Sequence, residues 1–454
     1  MSGRFVSVDR DTAYLLPPSV QEWLPENHLA RFVVEIVEQL DLGQLTSAYG
    51  GRGSDAVHPA MLVSLLFYGY ATGVFASRKL ERETFDSVAF RYVAANQHPD
   101  HDTIATFRKR FLKELSALFV EILRFAQQMG VLKLGKVSLD GTKVHANASK
   151  HSALSWEHAC KIEAQLQAEV EQLMRLADEA DQAEIPDGMS VPEELQRREA
   201  RLVAIVQAKA AIEARAAERY AREQAAYEQK LAERKAKEER TGRKPGGPPP
   251  AAPQPGPRPK DQINLTDADS RVMPTSGGGF EQAYNAQAAV DVDTMLIVAQ
   301  HVSQHPNDKQ EVEPALDNLD AMATVIGTAE GLLADTGYFS ADNVKACHAH
   351  HVEPYIAAGR DAHYPPLAER LSAAAPLTED ASAVDRMKHR LRTPEGRAVY
   401  AQRKCTVEPT FGIIKSVLGF RQFLLRGLHS VQHEWTLVCI GWNLKRLYRL
   451  QLAI

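Results

Sequence analysis

Four cysteines in 454 residues are too few for a disulfide-built fold. Cys160, Cys347, Cys405 and Cys439 are far apart and none forms a C-x-x-C pair. They predict a reduced chain with small thiols rather than a redox centre or a zinc ribbon. A secretory leader is also missing, because Met1-Ser-Gly-Arg-Phe-Val lacks a basic stretch followed by an apolar core. Long apolar runs are scarce. The best, Pro59 to Ser77, carries no charge but is interrupted by Ser64, Gly69, Thr72 and Gly73. A membrane span needs about 20 predominantly apolar residues, so this segment is expected to be a buried core helix. Nor is there an excess of one charge: the net value is −5. A small average hides regions of opposite sign, so it leaves nucleic acid open as a partner. Together these features predict a cytoplasmic protein without a membrane partner.

The remaining composition, 44% apolar and 24% charged, is that of a globular chain. Its length fits two to four domains of roughly 100–200 residues. Residues 1–130 read as a helical domain. Leu29, Phe32, Val33, Ile36, Val37 and Leu40 recur at helical spacing, and Arg108, Lys109, Arg110 and Lys113 crowd one later helix. Several short helices with one basic member suit DNA binding, although a solvated helix face reads the same way.

From Gly135 the period changes to two. Val137-Ser-Leu-Asp140 alternates and is expected to turn at Gly141 before a second extended piece. Residues 155–261 break the pattern. They hold an Ala-, Glu- and Arg-rich helical hairpin, punctuated by Pro186-Asp-Gly188 and Pro192. Its second helix, on the order of 70 Å long at ~1.5 Å per residue, runs into a Pro/Gly-rich linker whose composition predicts mobility. Strand patterns resume at Phe280, Met295, Gly331 and Val352, with helices between and after them. With the insertion removed, the order suits an α/β core with a mixed sheet. It is assigned to 131–154 and 262–430, and residues 431–454 to a C-terminal basic helix.

Two strand ends share one device, a hydrophobic strand closing on aspartate: Val137-Ser-Leu-Asp140 and Leu332-Leu-Ala-Asp335. Reactive groups of open sheets sit at such ends. Paired carboxylates repel unless a cation lies between them, and hard oxygen donors suit Mg²⁺ or Mn²⁺. Glu408, within Cys405-Thr-Val-Glu-Pro-Thr-Phe-Gly412, is the candidate third carboxylate. Each aspartate alone also fits ordinary turn chemistry.

At this point the chain resembles the DDE transposases of bacterial insertion sequences, over nearly its whole length. The motifs are Ser138-Leu-Asp-Gly-Thr-Lys-Val-His-Ala-Asn147, Asp269-Ser-Arg-Val-Met273, Tyr284-Asn-Ala-Gln287, Ala334-Asp-Thr-Gly-Tyr338, Tyr400-Ala-Gln-Arg403 and Val407-Glu-Pro-Thr-Phe-Gly-Ile-Ile-Lys415. Leu15-Leu-Pro-Pro-Ser19 and His98-Pro-Asp-His-Asp-Thr103 with Phe107-Arg108 extend the likeness to the N-terminal part.

The resemblance implies a ribonuclease-H-like core with a mixed five-stranded sheet, and a metal-binding catalytic triad at Asp140, Asp335 and Glu408. It implies two Mg²⁺ or Mn²⁺ ions, hydrolysis at element ends and strand transfer into target DNA, with a homodimer pairing two ends. A family signature of tyrosine, arginine, glutamate and lysine falls on Tyr400, Arg403, Glu408 and Lys415. The arginine-to-glutamate gap is one residue longer than usual, so Lys404 competes with Arg403 for the phosphate role. Tyr400 suits either a base-stacking face or a core position. His145 lies near Asp140, and Asp269 and Asp291 add acids that suit turns or caps.

Between Arg403 and Arg449 there are eight Lys/Arg against two acids, a local excess that phosphates would explain. Two rivals remain: a DNA-binding protein without catalysis, and a nuclease that cuts without joining. Cys347-His-Ala-His-His351 lacks a second ligand pair at finger spacing. Gly277-Gly-Gly279 lacks the Lys-Ser/Thr of a nucleotide loop and suits a hinge.

Overall fold

The computed structural model describes residues 19–49, 56–179, 191–244, 246–275, 277–359, 377 and 380–452. The Leu15-Leu-Pro-Pro part of the first motif, the Pro186-Asp-Gly188 break and Pro245 of the linker lie outside these residues. The chain divides into two compact units, one of 1–144 with 284–454 and one of 145–283.

The first unit opens with seven helices: α1 (Leu29–Gln39), α2 (Gly43–Ser47), α3 (Pro59–Thr72), α4 (Ser77–Asp86), α5 (Val88–Val93), α6 (His101–Arg110) and α7 (Leu112–Gln128). Proline starts α3 where a missing N–H costs nothing, and the His58 ring accepts from the Ala60 N–H. Gly73 ends α3 at φ +85°, a conformation glycine adopts without strain. Most of the helix is buried, including Leu62, Leu65, Leu66 and Phe67. No single helix among the described residues is long and apolar enough to cross a membrane.

The strands are β1 (Lys136–His145), β2 (Ala153–Ser155), β3 (Gln262–Asn264), β4 (Arg271–Pro274), β5 (Phe280–Asp291), β6 (Ile297–Ser303), β7 (Gly331–Ala334) and β8 (Glu353–Ile356). One mixed sheet runs β4-β5-β1-β7-β8, with β6 also paired to β5. It is the expected ribonuclease-H-like arrangement of sheet and helices. The four-residue β4, on the opening residues of β5, makes it six strands among the described residues instead of five. The expected turn at Gly141 is absent: β1 runs straight through it.

Helices α10 (Val312–Ile326) and α11 (Ala341–Ala349) follow the strand–helix alternation. After β8 come the helices here numbered α12 (Ala383–Arg390), α13 (Pro394–Ala401), α14 (Arg403–Gly412) and α15 (Leu428–Gln451). The last is the core of this unit, with Trp435, Cys439, Ile440 and Leu444 fully enclosed. Gly441 lets its backbone meet that of α3, since a Cβ there would lie 2.7 Å from the Tyr70 carbonyl carbon. On its other side Asn443 exchanges two 2.8 Å hydrogen bonds with the backbone of Ile297, and Gln432 accepts from the Val302 N–H. These amides cap the edge strand β6, as an exposed edge requires.

Within this helix, Lys445 and Arg446 donate to the carbonyls of Ala71 and Thr294.

The second unit holds the hairpin α8 (Trp156–Glu179) and α9 (Val191–Thr241). Ala159 and Leu166 meet Ile205, Ala208 and Ile212 along an apolar seam, which Leu154 of β2 and Ile263 of β3 extend. The ion pairs Lys209–Glu163 and Arg198–Glu169 flank the seam. Arginines meet the Pro/Gly stretch that follows α9. Arg219, Arg234 and Arg258 of α9 and its return donate to Gly256, Gly247 and Glu223. Arg219 also grips both oxygens of Asp261, at 2.8 and 2.9 Å.

Candidate active site

Parallel pairing of β1 with β7 aligns Lys136 with Gly331, Val137 with Leu332 and Ser138 with Leu333. Two residues further along stand Asp140, still within β1, and Asp335, one residue past the end of β7. The register therefore brings the two carboxylates to the same end of neighbouring strands, which run ~4.8 Å apart. Val137 and Leu139 of β1, and all of β7, are buried beneath them. Each aspartate is oriented by backbone: Asp140 accepts from the Gly141 N–H at 2.8 Å, and Asp335 from the Gly337 N–H at 2.7 Å.

Glu408 comes from α14, which packs Val407 and Phe411 into the core and leaves the glutamate outside. Pro409 follows it within the helix, and the next turn, Ile413–Val417, widens to a π-helix. Such a turn often marks a functional site. Lys415 lies in this turn and donates to the Thr142 hydroxyl at 2.9 Å and to the Lys143 carbonyl at 3.0 Å. Burial, then Arg421, pulls its ammonium below the usual lysine range.

Arg403 ties α14 to β1. One terminal nitrogen donates to Glu408 at 2.9 Å and the other reaches Asp140 at 3.5 Å. Of the two candidate cations, Arg403 thus meets the carboxylates. Lys404 is exposed and instead lines a cleft of about 520 Å³ with Tyr400, Lys388, Arg392 and Arg397. Tyr400 is half-buried there.

The electrostatics call for a cation. Burial, foremost, and the neighbouring charges of Asp335 and Asp308 push the Asp140 carboxyl up to about 7, against the pull of the Gly141 N–H and Arg403. The donors are hard oxygens, so their chemistry fits Mg²⁺ or Mn²⁺. They are not closed around one point: among the described residues no three His, Cys, Asp or Glu side chains form a metal cluster. Arg403 holds Asp140 and Glu408 in this arrangement.

Two residues of the basic α6 helix keep to its surface. Lys109 is exposed, and Arg110 donates to the Ala48 carbonyl over the Tyr49 ring. Arg108 is a correction. It is 6% exposed and its guanidinium donates to the Phe75 carbonyl and the Tyr70 hydroxyl, so it supports the helical core and does not reach phosphate. The His and Cys of 347–351 likewise serve the fold: Cys347 is buried and His350 pairs with Asp320. Asp291 accepts from the Thr294 N–H and hydroxyl, a turn role. His145 is exposed at the end of β1.

The sequence reading assigned no role to four side chains here. Asp308, from the loop before α10, accepts from Asn285 at 2.7 Å and Gln287 at 2.8 Å, and lies 3.5 Å from the Lys143 ammonium. Tyr338 donates to the side-chain oxygen of Gln287, whose amide nitrogen serves Asp308. The available signal was Asn285 and Gln287 themselves, two amides on one face of the central, apolar part of the strand.

Comparison with family models gives two matches. Residues 18–110 match a family described as a transposase domain, and residues 258–444 match one described as the transposase DDE domain. The second match contains Asp335 and Glu408, while Asp140 lies ahead of it. No curated protein and no solved structure matches the chain. With both ends of the chain matched to transposase families and the sheet of the expected kind, the chain belongs to the DDE transposases of insertion sequences.

Proposed function

We propose that the protein cleaves phosphodiesters at the ends of an insertion sequence and joins the freed 3′-hydroxyls to target DNA, with Asp140, Asp335 and Glu408 as its catalytic carboxylates. The observation that carries this reading is the β1–β7 register, which sets Asp140 beside Asp335, with Arg403 spanning Asp140 and Glu408. Membership of the family supports DNA as the substrate and divalent ions as the cofactor.

The three carboxylates would hold two Mg²⁺ or Mn²⁺ ions. When bound, such ions polarise the phosphoryl oxygens and lower the pKa of an attacking water or hydroxyl. The protein's own groups supply position and charge. Arg403, once its carboxylates have a stronger counter-ion, is free to turn its planar fork to a phosphate. Lys415, tied to Thr142 and the Lys143 carbonyl, stiffens the strand that carries Asp140. Its charge also favours a phosphate near that strand. Tyr400 and Lys404, in the cleft with Lys388, Arg392 and Arg397, track the DNA backbone beyond the scissile bond. Lys109 and Arg110 offer further backbone contacts on the N-terminal helices. Two DNA ends require two active sites, hence a homodimer in the synaptic complex.

A cleavage assay tests the reading. Purified protein is given DNA carrying the element ends, with Mg²⁺ or Mn²⁺, beside Asp335→Asn. Metal-dependent 3′-hydroxyls at the element tips, lost in the variant, are the expected result. Tight end binding with no cleavage in either protein would identify a DNA binder instead.

A further inference from the structure

Asp308 lies between Gly141, within β1, and Gly337, just past the end of β7. One of its oxygens is 2.9 Å from where a Cβ on Gly141 would stand, and the other is 3.7 Å from the same point on Gly337. Those glycines follow Asp140 and Asp335 and donate to them. The first oxygen, Oδ1, takes all the contacts from Asn285, Gln287 and Lys143. The second, Oδ2, is on the side of Gly337 where Asp335 Oδ1 also lies, 2.9 Å from that Cβ point.

The loop is fixed from behind. Glu311 is buried and accepts from His301 at 2.8 Å, Ser303 at 2.7 Å and His305 at 2.8 Å, and its N–H donates to the Asp308 carbonyl. A second observation points to a ligand. Asn285 is fully buried, yet its Oδ1 has no hydrogen-bond partner and stands 2.9 Å from the Gly141 Cβ point. An enclosed acceptor without a donor is costly unless something, such as an ordered water on a bound cation, comes to it.

We propose that Asp308 is a fourth carboxylate of the divalent-ion site, its Oδ2 facing the ion held by Asp140 and Asp335, with Asn285 Oδ1 accepting from a water of that ion. The assignment rests on the triad reading above. Lys143, 3.5 Å from Oδ1, balances part of the Asp308 charge.

Manganese titration of the metal-free full-length protein by calorimetry tests this, with no DNA and no turnover. Asp308→Asn keeps the shape and an oxygen for Asn285 and Gln287. It is expected to weaken Mn²⁺ binding roughly 10- to 100-fold, the usual cost of losing such a supporting group. Asp308→Glu, which keeps the charge, is expected to stay within a few-fold of wild type. Circular dichroism and the metal-free melting temperature are recorded for each. If D308N melts early, Asp308→Ser is titrated in its place. Wild-type affinity in D308N beside a loss in Asp335→Asn overturns the assignment of Asp308 alone. Wild-type affinity in both overturns it together with the triad reading.

Discussion

Asp140→Asn is expected to stabilise the metal-free protein increasingly as pH rises from about 4, with the full effect above about 7. The wild-type carboxyl, ordinarily at 3.8, is pushed up to about 7 by burial and by the charges of Asp335 and Asp308. A raised acid favours the folded state while it is protonated. Its contribution is therefore fully present below about pH 4 and is lost as pH rises through about 7. The shift of about three units corresponds to ~4 kcal/mol at 1.36 kcal/mol each. With 22% of the side-chain surface exposed, solvent screening lowers this to roughly 2–4 kcal/mol. The amide has no charge to bury and escapes the loss. Denaturation with EDTA present, followed by fluorescence of the buried Trp435 and Trp442, should give matching midpoints near pH 4. Above pH 8 the variant should be more stable by that amount. Added Mg²⁺ at pH 8 should then stabilise wild type and leave the variant nearly unmoved. Parallel stability profiles from pH 4 to 9 would refute the argument, because they would mean that the carboxyl titrates alike in both states.

Gly141→Ala should reduce end cleavage roughly 100-fold, the cost of a displacement near 1 Å at a reacting centre, because its Cβ would lie 2.1 Å from Gln287 Nε2. Gly135→Ala, which meets nothing within 4 Å, is the control in the same assay. Lys404→Ala should weaken DNA binding and lower the salt slope of log affinity by ~0.9, read from filter binding at several salt concentrations. Arg108→Ala should cost about 3 kcal/mol of stability by denaturation, since it leaves buried Glu434 without its counter-charge, while Lys109→Ala should stay within about 0.5 kcal/mol. Ile212→Asp, which puts a charge into the hairpin seam, should remove much of the α8–α9 helical signal in circular dichroism.

The two strand-end aspartates were legible because a period-two apolar pattern stops on each, and a parallel sheet turns that shared pattern into adjacency. The hairpin was legible because its composition changes abruptly and its apolar residues keep helical spacing. The role of Gly141 was misread for a physical reason. Glycine next to a strand-end acid usually marks a turn, but here it is needed for close approach. Asn285, Gln287 and Asp308 occupy the space a side chain would fill, and the strand continues. Arg108 was misread because its partners, Tyr70 and Glu434, are remote in sequence. A basic triplet on a helix has one appearance whether its first member points inward or out. Lys445 and Arg446 fall to the same ambiguity, since only packing shows the carbonyls they satisfy. Asp308 stands in a polar loop, 304–310, whose composition is that of any solvated connection.

The unusual gap between Arg403 and Glu408 has a structural explanation that bears on the whole site. Residues four apart share a helix face, while residues five apart are turned away from one another. Arg403 nevertheless meets Glu408 because it is the first residue of α14, next to the break at Gln402. Its long side chain also carries the other terminal nitrogen to Asp140 on the sheet. Its Nε is enclosed without a partner, so the two terminal nitrogens make its contacts with the carboxylates. One arginine thus supplies the positive charge between two carboxylates whose repulsion would otherwise open the site. On the triad reading proposed above, these contacts would be exchanged for an incoming phosphate when a divalent ion takes the carboxylates. A lysine at the same place would offer a point charge unable to span both carboxylates at once. That is the physical reason the role falls on Arg403 and leaves Lys404 to the cleft outside.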